Sequence, residues 1–332
     1  MPEGHSVHRI ARQFARSFTG VPVAVSSPQG RFAQGAARLD GHEIVDSHAV
    51  GKQLFLGFDH DLWLRVHLGM YGAWDFAGDI AVDPVSPAER GARAAALGPA
   101  AESVIERVAA ETVVGRHEDS PWSIGAPRRT RLRMAEAEKV GEELDEFPPE
   151  PIGQVRVRLL TATACADLRG PTACEVQTPD EMHVAVGKLG PDPLVDPDGE
   201  ERFVANIRHR AVPIGVLLMD QSVVAGIGNV YRAELLFRAR LDPFRPGNSL
   251  PEDVVRELWR DWAHLLGIGV ETGHMLTMDD LSGDDLARAL ASRDDRHWVY
   301  HRTGEPCRVC GTPIAMQEVA GRKLYWCPTD QV

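Results

Sequence analysis

The sequence lacks any long hydrophobic run. None of its apolar stretches approaches the roughly 20 residues that a membrane-spanning helix needs, and the arginine-bearing segment near its start has no signal-peptide core behind it. We therefore expect a cytoplasmic protein without a membrane partner. At 332 residues the chain is long enough for two domains that each bury a core.

Basic residues are also in short supply. The sequence has 36 Lys and Arg against 48 Asp and Glu, which gives a formal net charge of −12. This balance argues against non-specific binding to nucleic acid, because phosphate contacts depend on Lys and Arg. The acidity is uneven, however: residues 81–152 hold 14 Asp and Glu against 9 Lys and Arg. A less acidic binding surface elsewhere on the chain is therefore compatible with the total charge.

The chain has only five cysteines, an odd number that cannot all pair with one another. Cys165 and Cys174 are isolated, whereas the other three crowd into the last 26 residues. This distribution suits a metal site in a reducing compartment better than a disulfide framework.

The tail cysteines have the spacing of a zinc site. Cys307 and Cys310 form a C-x2-C knuckle, and Cys327 begins a second knuckle whose fourth position is Asp330. Two such knuckles joined by a hairpin can hold a tetrahedral Zn²⁺. A carboxylate is a harder and less usual partner for three thiolates. The alternative is a hairpin that has lost its metal and is held by its aromatic residues.

Periodic patterns predict many strands in the first half of the chain. Apolar residues at helical spacing in residues 5–18 predict a surface helix, and short β-like runs follow over residues 21–76. The runs QLFLGF and LWLRV predict a hairpin joined at residues 59–61. Residues 80–152, rich in Ala, Glu, Arg and Pro, predict a mobile or weakly helical insertion. Because the β pattern resumes afterwards, we expect one domain, a β-sandwich or barrel with a leading helix, over residues 1–180.

The pattern becomes helical after LGPDPL. The stretch RAVPIGVLLMDQSVVAGIGNVYRAELLF predicts two helices separated by a glycine-bearing turn, and VVRELWRDWAHLLG predicts a third. We expect a helical domain over residues 187–290 and a short cysteine-bearing hairpin over residues 296–332. The whole sequence predicts a multidomain α+β fold.

A few residues carry chemistry that depends on their setting. Removal of Met1 would give Pro2 a free secondary amine with the Glu3 carboxylate beside it, a nucleophile and an acid. The alternative is that the proline only stiffens an ordinary start. Lys52 lies in the strand-like run VGKQLFL, where a lysine usually faces solvent. Asn229 follows the glycines of GIGN and either caps a helix or binds an anion at its N-terminus.

Taken together, these segments resemble the formamidopyrimidine-DNA glycosylase and endonuclease VIII superfamily of base-excision repair enzymes. The resemblance rests on MPEG, GK on a strand, LGPDPL, DQSVVAGIGNVYRAELLF and GRKLYWCP, in that order. It covers residues 1 to about 78 and 153–332. It implies an N-terminal β-sandwich, a helix-two-turn-helix DNA-binding domain and a terminal zinc-finger-like hairpin.

The resemblance also implies roles for individual residues. Pro2 would attack the sugar C1′ and form an iminium, while Glu3 would manage the proton transfers. Lys52 would contact phosphate and assist lesion processing. Asn229 and Arg322 would clamp the phosphates that flank an extruded nucleotide. The implied cofactor is a structural Zn²⁺ at the four tail residues, and the implied partner is damaged DNA, duplex or single-stranded, bound by a nucleoid-associated monomer.

The loop HLGMYG would supply the side chains that fill the gap left by the extruded base. Met70 resembles the residue that the oxidised-purine branch of the superfamily has in this loop. Tyr71 resembles the residue that the endonuclease VIII branch has there. The oxidised-purine branch also has an Arg-Phe pair on a later loop, whereas CADLRGPTACEV has Arg169 without a following Phe.

These branch features favour one activity over two alternatives. We expect a bifunctional glycosylase and lyase that removes oxidised pyrimidines and cleaves the strand by β/δ-elimination. An oxidised-purine glycosylase and a non-catalytic lesion-binding protein are the alternatives.

Two features depart from the superfamily pattern. Asp330 stands where a fourth cysteine is expected, which would weaken zinc binding and, with it, the placement of Arg322. The insertion at residues 80–152 has no counterpart in the shorter members of the superfamily. We expect it to be a surface loop whose removal the fold tolerates.

Overall fold

A computed structural model describes residues 2–81, 87–111, 122–126 and 147–332. It confirms the predicted α+β class. The chain forms two compact units, the first made of residues 1–86 and 114–187 and the second of residues 87–113 and 188–332. No helix in the described ranges is long and apolar enough to cross a membrane.

The first unit is a β-sandwich with a leading helix. One antiparallel sheet has the strand order β1-β7-β8-β5-β6 and the other has the order β2-β3-β4-β9. The predicted hairpin at residues 59–61 is confirmed, since it joins β3 to β4. The elements of this unit are α1 (Gly4–Ser17), β1 (Ala24–Ser26), α2 (Ala33–Leu39), β2 (Ile44–Val50), β3 (Gln53–Phe58), β4 (Trp63–His67), β5 (Ala73–Gly78), β6 (Ser123–Gly125), β7 (Val155–Leu160), β8 (Ala164–Arg169), β9 (Ala173–Gln177) and α5 (Pro179–Gly187).

Apolar residues of α1 anchor the start of the chain on the sandwich. Ile10 and Phe14 are fully buried, and the Phe14 ring meets the Trp74 ring edge-on with centroids 4.8 Å apart. Burying each such side chain stabilises the fold by about 1.5–3 kcal/mol. The residues that precede α1 are therefore fixed to the core of the first unit.

The second unit is mainly helical and ends in a β-hairpin. Its core is formed largely by the long helix α9 and the helices that surround it. The two terminal strands pair antiparallel, with Val319 opposite Arg322. The elements of this unit are α3 (Pro87–Ala96), α4 (Pro99–Glu111), α6 (Gly199–Arg208), α7 (Ile214–Leu217), α8 (Asn229–Arg238), α9 (Glu252–Thr272), α10 (Gly283–Ala291), β10 (Ala315–Val319) and β11 (Arg322–Trp326).

The helices α3 and α4 lie within the segment for which the sequence predicted a mobile or weakly helical insertion. Ala101, Val104, Ile105 and Val108 of α4 are buried in one apolar cluster. That cluster also contains Ile268 of α9 and Leu276, Leu286 and Ala289 of the following segments. The spacing of these residues is that of a helix, but their small size made the pattern hard to see. Residues 82–86, 112–121 and 127–146 of the predicted insertion lie outside the described residues.

Candidate functional site

Pro2 and Glu3 are both buried immediately before α1. Glu3 occupies the N-cap position in an extended conformation, and its side chain is fully inaccessible to solvent. Its carbonyl oxygen accepts a hydrogen bond from the Ser6 backbone N–H at 3.0 Å. The helix therefore places the candidate nucleophile and its acidic neighbour at the positive end of the helix dipole.

Lys52 lies in the tight turn between β2 and β3, and not within a strand as the sequence suggested. The turn requires the left-handed backbone of Gly51, at φ +58°, which glycine adopts without steric cost. The turn holds the half-buried lysine at the end of the sheet, where the strand prediction had expected a solvent-facing side chain.

His67 is a neighbour of Lys52 that the sequence analysis did not single out. It lies opposite Gln53, the first residue of β3, at the end of β4. Burial and the positive charges of Lys52 and Arg65 lower the pKa of His67 below its ordinary value. The His67 imidazole is therefore neutral at neutral pH, with the positive charges of Lys52 and Arg65 near it. The histidine that opens the HLGMYG motif was the available signal.

The loop after β4 exposes Met70 and Tyr71. The two residues are 40% and 41% exposed. The loop turns at Gly69, with φ +65°, and closes with a hydrogen bond from the Gly72 N–H to the Leu68 carbonyl at 3.0 Å. The structure thus presents the two predicted gap-filling residues on a short, constrained loop.

Arg169 lies at the end of β8 and is held by the neighbouring strand. Its Nε donates to Asp75 Oδ2 of β5 at 2.9 Å, and a second guanidinium nitrogen donates to the same oxygen. A further hydrogen bond of 2.9 Å reaches the Ile152 carbonyl. These hydrogen bonds hold the Arg169 guanidinium within the β-sandwich.

The glycine-bearing turn of the second unit is built around one glutamine. The Gln221 amide donates to the carbonyls of Met219 and Ile227 at 3.1 and 3.0 Å, and its oxygen accepts from the Gly226 N–H at 3.1 Å. Gly226 has φ +95°, a conformation that favours glycine. The turn ends immediately before the first residue of α8.

That first residue is Asn229, whose side chain is 6% exposed. Its Nδ2 donates to the Lys323 carbonyl of β11 at 2.9 Å. Its Oδ1 accepts a hydrogen bond from Arg232. Arg322 is exposed at the start of β11 and immediately precedes the residue that Asn229 holds. The structure therefore links the helix N-terminus to the hairpin that carries the second predicted phosphate-binding residue.

The four predicted metal ligands converge. Their donor atoms all lie within 4.8 Å of one another. Asp330 Oδ2 is 3.1 Å from Cys307 Sγ and 3.3 Å from Cys327 Sγ, and Cys310 Sγ is 3.4 Å from Cys327 Sγ. Sulfurs around a tetrahedral zinc with bonds of about 2.3 Å would lie roughly 3.8 Å apart. The donor set and its spacing therefore fit one Zn²⁺.

Proton chemistry in this cluster is consistent with a metal site. Burial raises the pKa of Cys327 to about 12 and also raises the pKa of Cys307. Hydrogen bonds from Cys310 and Cys307 lower the pKa of Asp330. The Cys307 and Cys327 thiols are therefore protonated at neutral pH without a metal, and zinc binding would release their protons.

The finger is also attached to α8 by hydrogen bonds that need no metal. The fully buried Glu234 carboxylate accepts from the backbone N–H groups of Trp298, Val299 and Tyr300 at 2.8 to 3.0 Å. The Gln331 side chain donates to the Leu241 carbonyl at 3.1 Å. The cysteine-bearing tail is thus anchored to α8 and to the residues that follow this helix.

Comparison with known proteins assigns the chain to a family. Residues 1–116 match the formamidopyrimidine-DNA glycosylase N-terminal domain, residues 189–280 match the H2TH domain of that enzyme, and residues 304–332 match a zinc finger found in FPG and IleRS. The chain is also 36% identical, over 331 residues that cover 100% of both proteins, to "Endonuclease 8 1" of Mycobacterium tuberculosis. The chain belongs to the formamidopyrimidine-DNA glycosylase and endonuclease VIII superfamily.

Other relatives and solved structures agree with this assignment. The formamidopyrimidine-DNA glycosylase of Thermus thermophilus is 42% identical over 144 residues, which cover 43% of this chain and 54% of that protein. The crystal structure of MutM from the same species matches with a TM-score of 0.62 and 25% identity, covering 99% and 98% of the two chains. A Lactococcus lactis Fpg bound to abasic-site DNA shares the fold, with a TM-score of 0.64 at 20% identity over 99% of both chains.

Several predictions are confirmed by this membership. The superfamily is correct, and family members are DNA glycosylase/AP lyases that act in DNA repair. The zinc-finger match and the converging donor atoms confirm zinc as the predicted cofactor. Two of the similar structures, both of Lactococcus lactis Fpg, are complexes with abasic-site DNA and with Fapy-dG DNA, and they share the fold of this chain.

Proposed function

We propose that this glycosylase is bifunctional, removes oxidised pyrimidines and uses Pro2 as its nucleophile. The observation that carries the proposal is the burial of Pro2 and Glu3 together at the N-terminus of α1. A proline that only stiffened the start of a chain would not need a buried carboxylate beside it. Two proposals of wider scope accompany this one: the protein acts as a monomer in the cytoplasm, and it accepts duplex or single-stranded DNA.

The chemistry follows from the secondary amine. Once Met1 is removed, the Pro2 nitrogen attacks C1′ of the damaged nucleoside, the glycosidic bond breaks, and the base leaves with a proton. The nitrogen then loses its own proton, which leaves a neutral adduct at C1′. The C1′–O4′ bond breaks as O4′ takes up a proton, and the nitrogen lone pair forms the cationic iminium with C1′ of the opened sugar. The iminium acidifies the C2′ hydrogen, so that β-elimination expels the 3′ phosphate and δ-elimination then expels the 5′ phosphate. Glu3 is the group placed to deliver and accept the protons.

The proposed DNA contacts come from both units. Lys52 and its neighbour His67 would contact phosphate in the first unit, and Asn229 and Arg322 would do so in the second. Met70 and Tyr71 would enter the gap left by the extruded nucleotide. Their exposure on a constrained loop supports this role.

Preference for pyrimidines is supported by two observations. The full-length similarity is to a protein named "Endonuclease 8 1". Arg169, the candidate for an additional gap-filling arginine, is instead held by Asp75 within the sandwich. The second candidate function is oxidised-purine removal, which the presence of Met70 and the identity with formamidopyrimidine-DNA glycosylases favour.

Borohydride trapping tests the proposal. The purified protein, with Met1 removal verified by mass, is incubated with duplexes that carry dihydrouracil, 8-oxoguanine or an abasic site. We expect a covalent adduct on dihydrouracil and on the abasic site that is absent in Pro2→Ala. An adduct on 8-oxoguanine in preference to dihydrouracil would favour the second candidate function. Absence of any adduct in protein that binds the same duplexes would indicate a non-catalytic lesion-binding protein.

A further inference from the structure

Arg232 is a buried arginine that has no role in the site described so far. It lies on the first turn of α8, three residues after Asn229 and therefore on the same side of the helix. Its residue exposure is 1%, which places the guanidinium beyond the reach of bound DNA. Arginine is almost never fully buried unless its donors are engaged. Its burial indicates a local structural task.

The guanidinium of Arg232 connects three elements of the second unit. One terminal nitrogen donates to the Gly215 carbonyl of α7 at 3.2 Å. The other donates to Asn229 Oδ1 and to the Lys323 carbonyl of β11, the latter at 3.1 Å. These contacts join the first helix of the helix-two-turn-helix, the first turn of its second helix and the finger hairpin.

These hydrogen bonds also determine how the Asn229 amide is oriented. Because Asn229 Oδ1 accepts from Arg232, its Nδ2 faces the Lys323 carbonyl, to which it donates at 2.9 Å. The Lys323 carbonyl therefore accepts from both side chains at once. Loss of the guanidinium would remove one of the two hydrogen bonds that orient the Asn229 amide and one of the two that hold the Lys323 carbonyl, next to Arg322. A lysine carries its three donors on one nitrogen, whereas these contacts use two separate nitrogens of the guanidinium.

We propose that Arg232 is a positioning residue that holds Asn229 and Arg322 in one fixed arrangement for gripping DNA phosphates. This inference rests on the proposed function, because it assumes that both residues bind phosphate. Arg232 itself acts through them and touches no part of the DNA.

DNA binding measured against salt concentration tests the functional half of the inference. The variants are Arg232→Met, Arg322→Ala and the double variant, and the ligand is a duplex with a tetrahydrofuran abasic analogue. We expect Arg232→Met to weaken binding roughly 10- to 100-fold, the range for lost hydrogen bonds to a charged group. It should also make the plot of log binding constant against log salt concentration less steep by about one unit of slope. Loss of the Arg322 phosphate contact should have the same effect. In the double variant the two effects should be less than additive.

The matched control is Arg288→Met, which removes an exposed arginine paired with Asp285 in the same unit. We expect it to leave the affinity unchanged. Full additivity of Arg232→Met with Arg322→Ala, together with an unchanged salt slope, would overturn the inference. If Arg232→Met does not fold, Arg232→Lys, which keeps the charge, carries the same prediction with a smaller loss.

Hydrogen exchange tests the structural half without DNA. In Arg232→Met, the amides of residues 323–326 and of the first turn of α8 should exchange faster than in the wild type. Zinc content should stay at one ion per chain, because none of the four ligands is changed. Unchanged exchange in both segments would overturn the inference. Failure of the wild-type protein to bind the lesion duplex would instead count against the proposed function. The hydrogen-exchange result would still test whether Arg232 holds Asn229 and β11 together.

Discussion

At the scale of single residues, the charge of Lys52 contributes to the protonation state of its neighbour His67. Burial, Lys52 and Arg65 together lower the pKa of His67. The folded protein therefore keeps this imidazole neutral at pH values where an unfolded chain, with a pKa of about 6.5, would begin to protonate it. Stability from this group is present above the unfolded pKa and is lost as pH falls through it toward the lower folded pKa.

Replacement of Lys52 by methionine should shift this titration. We expect the pKa of His67 to rise toward its ordinary value in Lys52→Met, because one of the two nearby positive charges is removed. The pKa would stay below the ordinary value because burial and Arg65 remain. NMR titration of the His67 ring protons measures both values. An identical titration curve in the variant would show that the lysine charge does not reach the imidazole.

Residues were predictable from the sequence where a motif fixed their neighbours. The MPEG start singled out Pro2 and Glu3, and the two knuckles singled out the zinc ligands, because their chemistry depends on local spacing. The burial of Arg232 was not predictable, because an arginine on a helix ordinarily faces solvent. Its burial depends on the Lys323 carbonyl, which is 91 positions away in sequence.

At the scale of elements, periodicity revealed strands and long helices but not α3 and α4. The apolar run QLFLGF and the amphipathic run VVRELWRDWAHLLG contain large apolar residues, so their patterns were visible. The buried face of α4 is made of Ala, Val and Ile within a segment rich in charge. Its partners on α9 and α10 are more than 150 residues further along the chain, so local pattern did not reveal them.

A charge placed on the buried face of α4 should destabilise the second unit. Val104 is 3% exposed within the apolar cluster that includes Ile268 and Leu286. Val104→Asp should lower the free energy of unfolding by about 3 kcal/mol or more, since an unpaired carboxylate would be buried. Urea unfolding measures the change. Ser103→Asp, one position away on the exposed side of the same helix, should have almost no effect. Equal stability of the two variants would support a dispensable surface loop.

The ligand set of the finger makes a separate prediction about zinc affinity. Asp330 supplies a hard oxygen to a site with three thiolates. Asp330→Cys should bind zinc roughly tenfold or more tightly, because thiolate is the softer ligand and completes a four-sulfur site. Competition with a chromophoric chelator gives both affinities. Glu318→Cys, which adds an exposed thiol on β10, is the control and should bind zinc as the wild type does. Equal affinities of wild type and Asp330→Cys would place Asp330 outside the coordination shell.

At the scale of the whole molecule, the order of domains along the chain was predictable, whereas the path of the chain between them was not. The sequence predicted a sandwich, a helical domain and a finger with limits at 1–180, 187–290 and 296–332. In the structure, residues 87–113 leave the first unit and join the second. The chain therefore passes between the units three times, since residues 114–187 return to the first unit before the final crossing.

This chain path predicts the behaviour of a nicked protein. If a protease site is inserted between Gly187 and Lys188, cleavage gives fragments 1–187 and 188–332, and the first carries α3 and α4. These helices belong to the core of the second unit, where α4 packs on α9 and α10 and the Arg107 side chain donates to the Asp279 carbonyl. We therefore expect the two fragments to elute together from a size-exclusion column under native conditions.

Weakening the α4 cluster should release the fragments. The same nicked protein with Val104→Asp should separate into two peaks, whereas nicked Ser103→Asp should elute as one, because only the first change disrupts the buried face. Separation of the unsubstituted nicked protein would contradict the shared core. Persistent co-elution of nicked Val104→Asp would show that contacts other than the α4 cluster hold the fragments together. The burial of a few aliphatic side chains, at about 1.5–3 kcal/mol each, is large enough to make this difference visible.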